Sequence, residues 1–417
     1  MRLPIERYQL DAGGVLLVSP KPESPCVFVH GDIPAGAVCE PDTLPGLADF
    51  TSRLLMGGTA ERSHQQIAEE LEAVGASIGF GSSVDAISFW GNSLPEHLGL
   101  VAGNIADCLE HAAFPPEQVE KVRGQMMTGL KQRRDDTRSM AGDAARELAY
   151  PGGHPYRQNG LPTEEALEKT ARDDIAAFRD AMFGPKGMIL AVSGNVSPAQ
   201  AREQVETAFG QWQCEPDAPP AIPTPPSLSS AQRSVVPMMH KSQADIAIAF
   251  LAIRRADPQY YALSQANLVF GRLGLMGRLG KHVRDELGLA YYCLSDLEDR
   301  TGVGLWSVRA GVNPASVDRA IEATMQEIDR IASEPVSDDE ISDAQQNQIG
   351  SLALRLETTR GVASAIHYIE YHGLGLDYID RFPHLVRSVT KEQILQGAQR
   401  YLNPRVSVTT IAGPYQG

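Results

Sequence analysis

The 417-residue chain is short of cysteine, of basic residues and of long apolar runs, and each shortage narrows what it can be. Its five cysteines (Cys26, Cys39, Cys108, Cys214, Cys293) are odd in number, scattered and without any C-x-x-C spacing, so they read as reduced, mostly buried thiols. Lys and Arg number 37 against 52 Asp and Glu, giving a formal charge of −15 and a pI near 5.2, which argues against a nucleic-acid partner. No run approaches the roughly eighteen apolar residues that would span a bilayer, so no membrane partner is expected. The N-terminal stretch MRLPIERYQLDAGG has charge and a proline but no apolar core, so no signal peptide is visible. The cytoplasm is the expected location, or the periplasm if a signal segment has been trimmed. Metal-binding patterns are missing too. His30, His64 and His154 are isolated. The segment HYIEYH (367–372) puts His367 and Glu370 on one helical face but turns His372 about 140° away, which points to a structural role.

What the sequence does contain is a large soluble protein with enough apolar residues, 42%, for sizeable cores, at a length that suggests two to four domains. Its organisation repeats. VLLVSP (15–20) and CVFVHGDI (26–33) read as strands, two helices follow, and ASIGF and AISFWGNS form a strand pair. From Pro95 to about Leu148 the pattern is helical, with Pro95 and Pro115–Pro116 placed to open helices. A helix over 172–183, the strand MILAVSG and the helix PAQAREQVETAFGQW close the half. The Pro- and Ser-rich run 214–234 reads as a semi-rigid linker. Beyond it the order recurs: strand DIAIAFLAI (245–253), helices, strands YYCLSDLE and GLWSVRAGV, an amphipathic helix, and a helix opened by a Ser-x-x-Glu capping box at Ser337 and Glu340. The expected architecture is α+β, with two homologous α/β halves, an N-terminal domain over 1–213 and a C-terminal domain over 235–417, each an antiparallel-rich sheet flanked by helices.

Residues 46–59, GLADFTSRLLMGGT, with the segments HQQIAEELEAVGASIGF, FPPEQVEKVRGQM, HPYRQNGLPTEEAL and MILAVSGNV in that order, resemble the pitrilysin or inverzincin peptidases, in their mitochondrial-processing-peptidase-like bacterial branch. That resemblance implies two halves facing each other as half of a clamshell. It also exposes a loss. The family's His-x-x-Glu-His puts two zinc ligands and a general base on one helix face, and here those places hold Asp49, Ser52 and Arg53. Arg53 offers only cationic donors, Ser52 cannot take a proton from water as Glu would, and Asp49 is placed to pair with Arg53 at i and i+4. The family's third ligand, about eighty residues on, falls by a gap-free count on Gly129; Glu120 lies on the same helix, but rescuing one ligand would leave no site. No metal cofactor is expected in this chain.

The segment RLGKHVRDELGLAYYC (278–293) resembles the family's Arg/Tyr segment, with Arg284 and Tyr291 seven residues apart. Without context an Arg on a helix and a Tyr at a strand start read as an ion-pair donor and a packing residue. The resemblance instead implies that these two donors reach a zinc site in the opposing half, hold peptide and stabilise the developing oxyanion. The preceding FGRLGLMGRLG (270–280) has isolated glycines where many relatives have a run of three. A chain that keeps Arg284 and Tyr291 and loses the ligands looks like the non-catalytic subunit of a heterodimeric zinc metallopeptidase. Its expected partners are a homologous zinc-bearing subunit, which supplies the zinc, and a peptide substrate; a homodimer in isolation is compatible. The alternative is a structural or peptide-binding protein with no proteolytic role, as in the core subunits of the respiratory bc1 complex. An independently active peptidase needs ligands the sequence lacks.

Overall fold

In the computed structural model residues 3–416 are described; the first two residues of the N-terminal stretch lie outside them. The fold is α+β, and two sheets of matching topology carry it. The first has the order β1-β2-β6-β3-β5-β4, from β1 (Glu6–Gln9), β2 (Val15–Pro20), β3 (Val27–Ile33), β4 (Ser77–Ser82), β5 (Ile87–Ser93) and β6 (Ile189–Gly194). The second has the order β7-β11-β8-β10-β9, from β7 (Gln232–Pro237), β8 (Ala244–Leu251), β9 (Ala290–Leu297), β10 (Leu305–Val312) and β11 (Val408–Gly413). Leaving out β1, the orders superimpose strand for strand. Even the single parallel pairing recurs, β2 with β6 and β7 with β11. The duplication read from the sequence is therefore a duplication of topology.

The compact units are composite in sequence. One contains residues up to Leu130, Asn159–Ala221 and Leu352–Asp380; the other contains Lys131–Gln158, Ile222–Ser351 and everything from Arg381 onward. Helix Thr137–Ala149 thus packs on β8 and β11, and helix Thr359–Tyr371 packs on β6, β3 and β2. The sequence explains each docking locally. Thr137, Ala141, Ala145 and Ala149 recur every fourth residue, so one face of the first helix is small and buried. Its backbone comes close enough for Thr410 Oγ1 to donate to the Ala141 carbonyl at 2.6 Å. The second helix sets Ala363 and Ile366 against Leu17, Phe28 and Ala191. Each helix also meets a buried carboxylate on a central strand. Thr137 Oγ1 donates to Asp245 at 2.5 Å, and His367 Nε2 lies 3.0 Å from Asp32.

The Pro-rich run is irregular until its last residues, where Gln232 to Ser234 already form β7. It is tied down near its start and in its middle: Asp217 N donates to Ala181 at 2.8 Å, and His154 Nε2 meets the Pro223 carbonyl at 3.0 Å. Cys108 and Cys293 are buried as expected, whereas Cys214 is exposed because it lies on this irregular run. Proline opens helices at the expected places. Pro95–His97 is a 3₁₀ turn leading into helix Leu98–Glu110, and Pro116 begins helix Pro116–Arg134. Ser337 and Glu340 form the capping box, with Ser337 N donating to Glu340 at 2.8 Å and Glu340 N to Ser337 Oγ at 3.1 Å. Among the described residues no helix is long and apolar enough to cross a membrane.

Candidate functional site

Helix Leu47–Leu54 carries the motif positions. It starts from Gly46, whose φ of 88° is left-handed and where a Cβ would come within 2.5 Å of Pro162. No side chain of its own caps it. The Glu40 carboxylate does so from a distance, accepting from Gly46 N at 2.8 Å and Ala48 N at 2.7 Å, so a negative group sits on the positive end of the helix. Burial pushes the Glu40 carboxyl up to about 7, against the pull of those two N–H groups. Further along, Arg53 Nε is 2.9 Å from Asp49 Oδ1, the i,i+4 pair anticipated from the sequence. Ser52 is buried and its hydroxyl donates to the Asp49 carbonyl at 2.9 Å. Gly129 is exposed, with open space where a side chain would be, and Glu120 is exposed and paired with Arg123 at 3.2 Å.

These residues do not fit a zinc ion. A tetrahedral site needs three N, S or O ligands converging at about 2 Å. Here the carboxylate is taken by a guanidinium, the hydroxyl by its own helix, and the third position has no side chain. No group of three His, Cys, Asp or Glu among the described residues is placed to hold a metal. The Glu of HYIEYH binds Arg7 at 2.9 Å, and His367 faces Asp32 and, edge-on at 4.5 Å between centroids, His30. That convergence of His30 with His367 was invisible in a sequence where they stand far apart. A cavity of about 480 Å³ opens beyond the helix, lined in part by Thr59, Arg62, His64 and Gln118, and none of the four motif positions lines it.

The Arg/Tyr segment departs from the simple helix read in the sequence. Gly280–Glu286 is a π-helical stretch, with Leu287 N bonding back to His282, and Leu268–Arg272 is another. Such widened turns are rare and recur at functional sites. The scattered glycines are what allow them. A Cβ at Gly271 would lie 2.8 Å from Ser295 N, one at Gly277 would lie 3.0 Å from the Gly271 Cα, and one at Gly280 would run into the Gly274 carbonyl. Asn267, where the first π-turn begins, accepts from Ser295 Oγ at 2.6 Å and Trp306 Nε1 at 2.9 Å, fixing it to β9 and β10. Arg278 grips Glu340 with two bonds of 2.7 and 2.8 Å.

On this anchored segment the two donors are left outward. Val283 is buried immediately before Arg284, and Leu289 is buried just before the strand that begins at Ala290, with Gly288 turning between them at φ 60°. Arg284 is exposed and Tyr291 is 66% exposed, and neither makes a hydrogen bond or ion pair with a described residue. Met276, 80% exposed, Leu275 and Leu287 add apolar surface on the same stretch of chain. Tyr291 stands on β9, the edge strand of its sheet. The anchoring groups Glu40, Asn267 and Arg278 were not singled out in the sequence, because each acts on a partner 6 to 62 residues away.

Sequence models of two protein families match the chain: "Insulinase (Peptidase family M16)" over residues 16–150 and "Peptidase M16 inactive domain" over residues 169–348. An uncharacterized zinc protease of Streptomyces coelicolor is 26% identical over 384 residues, covering 91% of this chain and 83% of the relative. The probable mitochondrial-processing peptidase subunit beta of Arabidopsis thaliana is 21% identical over 398 residues, covering 92% and 73%. Among solved structures, a peptidase M16 inactive domain from Pseudomonas fluorescens matches at a TM-score of 0.91 with 21% identity, over 99% of this chain and 98% of that one. A protease from Helicobacter pylori matches at 0.90 with 17% identity, over 99% and 100%.

Proposed function

The chain belongs to the M16, or insulinase, family of peptidases, and from that premise we propose that it is the non-catalytic subunit of a two-chain zinc peptidase. In this reading it supplies Arg284 and Tyr291 to a homologous subunit that carries an intact His-x-x-Glu-His. The observation that carries the proposal is the contrast between the two regions. The helix at the metal position is closed by an internal ion pair, whereas the Arg/Tyr segment is braced from beneath and presents two donors with no partner among the described residues.

A guanidinium and a phenol are hydrogen-bond donors at neutral pH, and donors fixed in advance stabilise an oxygen that gains negative charge during peptide hydrolysis. The bracing by Asn267, Arg278 and the packed glycines keeps reorganisation small at that moment. Metal chemistry belongs to the partner. The peptide itself would bind as a strand added to a sheet edge, through backbone hydrogen bonds with little sequence preference.

The test is bound zinc and peptidase activity for this chain alone and mixed with a relative that keeps the metal motif. Zinc-dependent cleavage only in the mixture supports the proposal. Stoichiometric zinc and activity in the lone chain would refute it, and silence in both samples would move the assignment to a structural or peptide-binding protein. In an active mixture, Arg284→Ala or Tyr291→Phe is expected to lower turnover by roughly a hundred- to a thousand-fold without loss of assembly. Unchanged turnover would remove the assigned roles.

A further inference from the structure

On the face of β9 opposite the buried Cys293 lies a second group of donors that the proposed function does not use. Tyr292, Gly311 and Asp245 stand in register across β9, β10 and β8. The Tyr292 ring lies flat on Gly311, where a Cβ would be 2.5 Å from the ring, and its hydroxyl donates to Asp245. Asp245 is buried and also accepts from Thr137 at 2.5 Å and Gln243 at 3.0 Å. The ring is therefore fixed from below and at its tip.

Two guanidiniums flank it. Arg138, on helix Thr137–Ala149, places its carbon 4.7 Å from the ring centroid. Arg309 projects from β10 on the same face, paired in register with Leu294 of β9. Both cations are close enough to oppose the rise that burial and Asp245 impose on the Tyr292 hydroxyl. Arg309 is half-buried yet makes no hydrogen bond, ion pair or ring contact with any described residue. Every other arginine among the described residues without such a contact is exposed. The nearby carboxylates are already engaged: Asp245 by three donors, and Asp296, diagonal to Arg309, by Arg272 at 2.9 Å. In a chain with 52 acidic and 37 basic side chains, a half-buried arginine with no counter-ion stands out. Burial of an unpaired charge is costly, and a bound anion relieves that cost.

We infer that Arg309 and Arg138, set around Tyr292, form a carboxylate-binding subsite for peptide lying along the free edge of β9. The peptide assignment rests on the proposed function; the anion assignment rests on the unpaired guanidiniums. An extended peptide presents alternate side chains to the two faces of a sheet. A peptide beside β9 would thus run past Tyr291 on that strand and meet, across it, the pair on β10 and helix Thr137–Ala149.

The test uses the full chain alone, with no partner subunit. Fluorescein-labelled decapeptides of one extended sequence are compared by anisotropy: one with an internal Glu, one with Gln there, each with a free or an amidated C-terminus. The carboxylate-bearing peptides are expected to bind about tenfold or more tightly than the fully amidated Gln peptide, the scale of one or two charge-assisted bonds. Which of the two carboxylates produces the preference identifies its source. Arg309→Gln and, at an exposed position that does not threaten folding, Arg138→Gln should each abolish the preference and leave the amidated peptide's affinity unchanged. Equal binding of all four peptides, or a preference intact in both variants, overturns the subsite. Tighter binding of a phosphoserine peptide than of its Glu counterpart overturns the carboxylate assignment. The preference should persist in Arg284→Ala, so its failure and the failure of the proposed Arg/Tyr role appear in different samples.

Discussion

Asp49 and Arg53 show how far a single helical spacing reaches. Their i,i+4 separation announced an ion pair, and the pair is there at 2.9 Å. Glu40 shows where spacing stops. It acts on the same helix from outside, through a turn whose course no local pattern gives. Its raised pKa makes it a sign of the protein's pH response. The folded carboxyl holds its proton up to about 7, whereas the unfolded one releases it near 4.5. The native state therefore binds more protons over that window, and Glu40's contribution to stability is fully present below about pH 4.5 and is lost as pH rises towards 7. Glu40→Gln removes the titrating group while keeping one oxygen acceptor, enough for one of the two donors Gly46 N and Ala48 N. Urea midpoints measured from pH 4.5 to 8 should fall with pH in the wild type and fall less in the variant; parallel curves would mean the carboxyl titrates near its ordinary value.

At the scale of the element, the segment from Asn267 to Tyr291 departs furthest from its sequence pattern. Apolar periodicity read as two ordinary helices, and the chain instead makes two π-turns around closely packed glycines. Propensity gives no warning of this, since a π-turn is stabilised by what it packs against. Here that is the Asn267 network, the buried Val283 and the Arg278–Glu340 pair. Gly280→Ala drives a methyl into the Gly274 carbonyl and is expected to cost about 1–3 kcal/mol, the usual range for overpacking. Thermal or chemical denaturation checks the size. Loss of protection at amides 280–289 in hydrogen exchange, with β8 and β11 unchanged, would localise it; unchanged exchange there would show that the glycine packing does not hold the segment.

For the whole molecule, the exchange of Thr137–Ala149 and Thr359–Tyr371 means that neither half of the sequence contains a complete unit. Residues 1–213 alone would leave Leu17, Phe28 and Ala191 without the helix that covers them, and would expose the small-residue face of Thr137–Ala149. Apolar surface uncovered in this way drives aggregation. That fragment should be insoluble or bind a hydrophobic dye, and a peptide spanning 352–380 should restore its solubility. A soluble, cooperatively folding 1–213 would show that the exchanged helix is dispensable.

The sequence by itself determined what is local or recurrent. The strand alternation, the proline-opened helices, the Ser337–Glu340 cap and the repeated order of elements are set by neighbours a few residues apart. So are the residue types at positions 49, 52, 53 and 129, of which only Asp49 could ligate zinc and its i,i+4 spacing already pairs it with Arg53. Tertiary structure decided the rest. Which sheet each central helix covers depends on the fit of small side chains against strands far away in the chain. Which arginines lack a counter-ion depends on carboxylates brought near or taken by others, as for Arg309 beside Asp245 and Asp296. Contact and burial are properties of the folded chain, and no run of neighbouring residues encodes them.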